Sequence, residues 1–238
     1  IERAKADKTL TQNFHIAAPV KRSASDQNSV VLLSKQRFPA GVIEDATNRL
    51  KFQDPKAIAA GDITLVRASD LFNRDFIIGS FHGDTNGLAS IPLITAVARE
   101  AHRNELLILG LDANTYSSGV DGKKQDVLKF AEAYRRLKLD SCWGPIPNPE
   151  EFTTYNARTF LQPQLNKASS KAEIREKGDV NPKDFILFRQ GTFNTEIVSK
   201  DNTGQREYVE EMVFPTLEFP SDHGVLSATL AFSDQWIK

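Results

Sequence analysis

The chain has 238 residues, a formal net charge of −1 and a single cysteine, Cys142. The charge provides no overall basic field for nucleic acid or an anionic membrane, and one cysteine excludes an internal disulfide and a cysteine-rich zinc site. A lone cysteine fits a reducing compartment and favours an intracellular protein. No apolar stretch reaches the length of a membrane span. We therefore expect a single globular domain, 1–238, that is monomeric.

The first part of the chain predicts a helical start followed by short strands. Ala, Lys and Glu dominate 2–11 and favour a helix, while 14–18 is typical of a short strand. The β-branched residues of 29–34 predict a strand. Further strands are expected at 42–52 and 63–67.

The central part of the chain predicts a strand, a helix and a second strand. The apolar run 76–81 is too short for a helix and is bounded by polar residues, so we interpret it as a buried strand. Apolar residues then recur near helical spacing over 88–102, and 106–109 forms a second apolar strand. Such a connection favours parallel neighbours, which brings the carboxyl ends of both strands to one edge of a sheet.

The second half of the chain predicts one more helix and several strands. An apolar face predicts an amphipathic helix at 126–139. Strands are expected at 185–188 and 225–232, and 192–199 should pair with 207–214 as antiparallel strands around a turn.

Between these elements lies a long irregular region, 140–182, which we interpret as a substrate-facing loop. Its aromatic residues could anchor it to the core or stack on a substrate. Basic residues in and beside this region could either line a site or form a solvated face: Lys167, Lys171, Arg175, Lys177 and Lys183.

Polar residues that can carry chemistry stand at the ends of predicted strands: His82, Asp112, Asn114, Asp184, Asp222 and His223. Each has an ordinary structural explanation when taken alone. Asp184 could be a turn or capping residue, Asp112 and Asn114 could form an Asx turn, and His82 could be a core histidine. Together they match metal-assisted phosphoester hydrolysis, which uses carboxylates for a hard cation and histidines for proton transfer.

Four motifs in the same order resemble the endonuclease/exonuclease/phosphatase superfamily, whose fold is that of pancreatic deoxyribonuclease. GLDANTY resembles its G-D-F-N motif, SFHGDTNG its strand ending in His, KDFILF its D-Y-I strand, and PSDHGVL its S-D-H motif. The resemblance implies an α/β fold, a four-layer sandwich of two packed mixed β-sheets flanked by helices, with the site at one rim. It also implies that an N-terminal strand and helix are missing from 1–238.

The resemblance assigns the catalytic roles by motif. His223 would be a general base or a phosphate contact, oriented by Asp184. Asp112 would position the attacking water or the metal, and Asn114 would hold the phosphate. His82 would bind phosphate or protonate the leaving oxygen.

The remaining roles concern the metal and the substrate. Mg²⁺ or Mn²⁺ would be bound by Asp222 and by Glu2, although Glu2 could equally be a solvent-exposed helix residue. Thr154 and Arg158 would contact a phosphate-ester substrate, either a nucleic acid, a phospholipid or an inositol phosphate, although Arg158 could equally be an exposed structural residue. The alternative to a phosphoesterase is a catalytically incomplete member that acts as a binding or scaffold protein.

Overall fold

The computed structural model describes residues 1–21, 28–39, 43–52, 58–156, 178–234 and 236. None of the helices in these ranges is long and apolar enough to span a membrane. The elements are α1 (Glu2–Ala6), α2 (Lys8–Asn13), β1 (Phe14–Ala17), β2 (Val31–Ser34), β3 (Ile43–Asp45), a 3-10 turn (Thr47–Arg49), β4 (Ile63–Ser69), β5 (Asp75–His82), α3 (Ser90–Glu100), β6 (Leu106–Asp112), α4 (Val127–Arg136), β7 (Leu139–Ser141), β8 (Thr154–Asn156), β9 (Asp179–Asn181), β10 (Asp184–Arg189), β11 (Phe193–Asp201) and β12 (Val225–Phe232).

A mixed sheet of six strands, in the order β3-β4-β5-β6-β10-β7, forms the centre of the fold. Strands β5 and β6 are parallel and are joined through α3, as the sequence predicts, while the other neighbours are antiparallel. The register places His82 beside Asp112 and Asp112 beside Asp184. Three polar residues on three adjacent strands therefore form one row at one edge of the sheet.

Helices α3 and α4 cover one face of this sheet with apolar side chains. Helix α4 begins after Asp126, whose carboxylate accepts hydrogen bonds from the Leu128 and Lys129 backbone N–H groups and so caps the helix. Its buried Phe130 makes an edge-on contact with Phe185 of β10. This contact packs α4 against β10 directly beside Asp184, and so stabilises the position of the strand that carries Asp184.

The opposite face of the sheet is covered by two antiparallel ladders, β1–β2 and β11–β12. Leu33 and Phe193 of these ladders share a buried cluster with Val66, Phe76 and Phe188 of the central sheet. One face of the sheet thus packs on helices and the other on strands, which is the predicted α/β sandwich of two packed sheets. The β11–β12 ladder also carries the chain into the S-D-H segment just before β12.

Two of the strand predictions are wrong. Residues 207–214 do not form a strand, and β11 pairs with β12 instead. The Asn202 side chain bonds both the N–H and the carbonyl of Val209, so these two backbone groups are not available to a strand partner.

The predicted strand 42–52 is also shorter than expected, and part of it lies outside the described residues. Asp45 ends β3 by accepting a hydrogen bond from the Thr47 N–H, which starts the 3-10 turn. Within 140–182, the short strands β7, β8 and β9 interrupt the predicted irregular region, 142–153 are turns and irregular backbone as expected, and 157–177 lie outside the described residues.

We expect Phe130→Ala to lower the free energy of unfolding by about 3–5 kcal/mol, because it removes a ring that is 0% exposed. Leu128→Ala on the same helix is the matched control, since Leu128 is 41% exposed. Urea denaturation of both variants measures the difference. Similar losses for the two would contradict the packing described for α4.

Candidate active site

The row of polar residues is completed by a histidine from a distant part of the chain. Asp184 accepts a hydrogen bond at 2.9 Å from Nδ1 of His223, which leaves Nε2 of that ring 3.7 Å from Oδ2 of Asp112. Nε2 of His82 lies 3.8 Å from the same Asp112 oxygen. Two imidazoles therefore flank one carboxylate, and the predicted set His82, Asp112, Asp184 and His223 converges.

Backbone contacts bring the S-D-H segment to this row. The Gly224 N–H donates to the Thr153 carbonyl at 2.7 Å, and the His223 N–H donates to the Ser221 hydroxyl at 3.1 Å. The Thr153 hydroxyl also accepts hydrogen bonds from the Lys183 and Asp184 N–H groups. Thr153 thus ties His223 to Asp184, a role that the sequence analysis did not identify.

Asn114 holds Asp112 through both of its carboxylate oxygens. Its backbone N–H donates to Oδ1 at 2.8 Å, and its side-chain amide donates to Oδ2 at 2.8 Å. The turn requires a left-handed backbone at Asn114, with φ of 48°, a conformation that asparagine tolerates well. The amide also donates to the Gly83 carbonyl at 3.0 Å. Asn114 thus orients Asp112 with its backbone N–H and one side-chain amide proton, while the other amide proton binds the Gly83 carbonyl.

The environment of the site raises the pKa of both Asp112 and His223. Burial, reinforced by the nearby Asp184 charge, raises the pKa of Asp112 to about 6 although His223 opposes the rise. Burial by itself lowers the pKa of His223, but the Asp184 carboxylate outweighs it and raises that pKa to about 9. At neutral pH the pair therefore consists of a carboxylate and an imidazolium.

One group of side chains among the described residues can hold a metal ion together. Asp112, Asp184 and His223 each offer a ligand atom, and these atoms all lie within 4.8 Å of one another. The two residues predicted to bind metal are not part of this group. Asp222 is half-buried beside His223, where its charge helps to raise the pKa of that histidine, and Glu2 lies on the exposed helix α1.

The two predicted substrate contacts have different outcomes. Thr154 is fully buried, and its hydroxyl bonds with the Asn181 backbone across the β8–β9 ladder. Arg158 lies outside the described residues.

Lys183 was predicted to line a site or to belong to a solvated face, yet it is buried. Its ammonium donates to Oδ1 of Asn114 at 2.9 Å and pairs with Asp179. Burial works against its charge, but Asp179 raises the pKa of Lys183, so the ammonium stays protonated. The signal available in the sequence was its position directly before Asp184.

Comparisons with solved structures place this geometry in a known fold. An endonuclease/exonuclease/phosphatase family protein from Bacteroides thetaiotaomicron is similar with a TM-score of 0.56 and 13% identity, over 98% of this chain and 81% of that one. TDP2 from D. rerio, complexed with a single-strand DNA product, is similar with a TM-score of 0.52 and 12% identity. The similarity covers 97% of this chain and 80% of the TDP2 chain. The human Nocturnin catalytic domain is similar with a TM-score of 0.50 and 14% identity, over 94% and 73%.

No protein-family model and no curated protein sequence matches the chain. These similarities show that the chain has a DNase I-like sandwich fold, which confirms the fold expected from the four motifs.

We expect Gly83→Ala to destabilise the site, because a Cβ at Gly83 would lie 2.8 Å from the Asp112 carbonyl oxygen. The backbone would have to move, at a cost of about 1–3 kcal/mol in the free energy of unfolding. Gly110→Ala is the matched control, since its Cβ would meet nothing closer than the Gly79 oxygen at 4.0 Å. Equal urea midpoints for the two variants would contradict this close approach.

The raised pKa of His223 predicts a pH dependence of stability. The pKa of His223 is about 9 in the folded protein, against an ordinary value of 6.5. The contribution of His223 to the free energy of unfolding is therefore complete below pH 6.5 and is lost as pH rises through about 9. In EDTA, between pH 6.5 and about 9, the free energy of unfolding of the wild-type protein should fall by about 1–3 kcal/mol more than that of His223→Gln. Parallel curves from urea denaturation would contradict the predicted imidazolium–carboxylate pair. The exposed His102→Gln is the matched control.

Proposed function

We propose that this protein is a phosphoester hydrolase that uses a divalent cation, Mg²⁺ or Mn²⁺. The observation that carries the proposal is the convergence of Asp112, Asp184 and His223 within 4.8 Å, with His82 beside them. The fold shared with the structures described above supports it, because phosphoesterases are built on that fold. Fold alone does not define an activity, so the argument rests on the site.

The donor set fits a hard divalent cation. Two carboxylates supply the oxygen ligands that Mg²⁺ and Mn²⁺ prefer, and burial of Asp112 disfavours its charge unless a cation is close. Asp112 and Asp184 would hold the ion beside His223, the third member of the group. When bound, the ion would stabilise the charge that develops on the phosphoryl oxygens.

The chain's own residues divide the remaining work. The Asp112 carboxylate, held by Asn114, accepts a proton from a water whose oxygen attacks phosphorus. As the new P–O bond forms, the ester P–O bond breaks, and the leaving oxygen takes a proton from His82 or His223. Asp184 fixes the tautomer and orientation of His223 by accepting the hydrogen bond from Nδ1. This arrangement gives the base and the acid separate side chains.

We propose a nucleic acid as the substrate class to test before the others. The support is the similarity to TDP2, whose structure holds a single-strand DNA product. Phospholipids and inositol phosphates carry the same ester chemistry and are the comparison substrates. A short single-stranded DNA, an inositol phosphate and bis(p-nitrophenyl) phosphate therefore form a discriminating panel.

With the best of these substrates, we expect His223→Ala to lower kcat by about 10²–10⁴-fold, as general acid–base groups typically contribute that much. His102→Ala is the matched control, because His102 is exposed and precedes β6 at the opposite end of that strand from Asp112. The assay is initial rate with Mg²⁺, with Mn²⁺ and with EDTA.

Full activity in EDTA, or unchanged kcat in His223→Ala, would contradict the proposal. Tight binding of a phosphate ester without turnover by the wild-type protein would instead support the alternative role as a binding protein. A rate loss confined to the His223 variant, together with metal dependence, is the expected result.

A further inference from the structure

A buried lysine stands behind the site, on the far side of Asn114 from Asp112. Lys183 is 3% exposed, and its ammonium donates to Oδ1 of Asn114 at 2.9 Å. Its charge is balanced by Asp179, and the ring of Tyr116 lies 5.2 Å from the ammonium. The ammonium bonds Asn114 and Asp179 rather than the catalytic carboxylates, so it can reach Asp112 through the Asn114 amide as well as through its charge.

The ammonium determines which way the Asn114 amide faces. An ammonium can only donate, so the amide oxygen must face Lys183, and the amide nitrogen then faces the Gly83 carbonyl and Asp112. A reversed amide would set its N–H groups against the ammonium and its oxygen against two acceptors. The observed orientation is thus the one that all three partners accept.

This orientation is what lets Asn114 hold Asp112. The backbone N–H of Asn114 binds one carboxylate oxygen of Asp112, and only the side-chain N–H can bind the other. We propose that Lys183 is a positioning residue for phosphoester hydrolysis: it fixes the Asn114 amide, and the amide fixes the Asp112 carboxylate between the two histidines. This inference rests on the proposed function and adds a residue that acts through another.

The competing interpretation is that Lys183 is a structural ion pair with Asp179 and nothing more. The chain offers a matched lysine to separate the two. Lys200 is also largely buried, pairs with Glu151 at 2.6 Å and lies 4.0 Å from the Tyr208 ring. The described contacts of its ammonium are with Glu151, Glu210, the Phe152 carbonyl and the Tyr208 ring, rather than with Asp112 or Asn114. A structural role predicts the same outcome for both lysines, whereas positioning predicts different outcomes.

The first readout is steady-state kinetics with bis(p-nitrophenyl) phosphate and Mg²⁺, below the unfolding temperature of every variant. We expect Lys183→Met to lower kcat by about 10- to 100-fold, the range typical of residues that orient catalytic ligands, with KM changed by less than about threefold. Lys200→Met should keep kcat within about threefold of wild type while losing comparable thermal stability. Equal kcat losses in the two variants, or a wild-type kcat in Lys183→Met, would overturn the proposal.

The second readout does not depend on activity. The side-chain amide ¹H–¹⁵N signals of Asn114, assigned by their loss in Asn114→Asp, report the orientation and hydrogen bonding of that amide. In Lys183→Met we expect these signals to shift and to exchange faster with solvent, and in Lys200→Met we expect them to stay as in wild type. Unchanged signals in Lys183→Met would overturn the positioning role even if no substrate were turned over.

A protein that shows the amide shift but no hydrolysis would contradict the proposed function and leave the positioning of Asp112 supported. Because Lys183→Met leaves Asp179 without its cation, it could fail to fold. The double variant Lys183→Met/Asp179→Asn removes both charges and carries the same expectations for kcat and for the Asn114 signals. Wild-type values of either in a folded double variant would overturn the proposal.

Discussion

The row His82–Asp112–Asp184 is set by strand register, and the rest of the site depends on it. Because β5 is parallel to β6 and β10 is antiparallel, the end of two strands and the start of the third reach the same edge. A slip of one residue in β10 would turn Asp184 to the opposite face of the sheet. The apolar packing of Phe185 beneath α4 therefore matters for the site, because it stabilises the register that brings Asp184 to His223.

Most of the row could be predicted from the sequence because strand ends are local signals. The apolar runs that end in His82 and Asp112 indicate both the strands and the polar edge, and the helix between them indicates parallel pairing. The position of His223 and Asp184 at strand ends predicted only that they would share a pocket, and their direct pairing across 39 positions came from the family resemblance. Thr153 ties those two segments together, whereas the substrate contact was predicted at its neighbour Thr154, which bonds within the β8–β9 ladder instead.

The errors at 207–214 and at Lys183 have a common physical cause. In both, a side-chain hydrogen bond or ion pair satisfies a polar group that the sequence pattern predicts to be paired in a sheet or exposed to solvent. The segment 207–214 alternates like a strand, but the Asn202 side chain binds the backbone N–H and carbonyl of Val209 in its middle. A lysine in a polar, basic stretch is usually exposed to solvent. Lys183 is buried instead, and its contacts with Asn114 and Asp179 offset the cost of burying the ammonium. Neither partnership is local enough for spacing to indicate it.

The site combines a half-buried imidazolium and a buried ammonium with three carboxylates, and this balance explains why Asp112 can stay ionised. His223 beside Asp184 lies on one side of Asp112, and Lys183 beside Asp179 lies on the other, behind Asn114. Burial alone would favour a protonated Asp112, whereas both cations favour its charged form. Each cation is itself held by a separate carboxylate, so neither needs to form a close ion pair with Asp112. The Asp112 oxygens consequently remain available to the ligands and protons that phosphoester chemistry would bring.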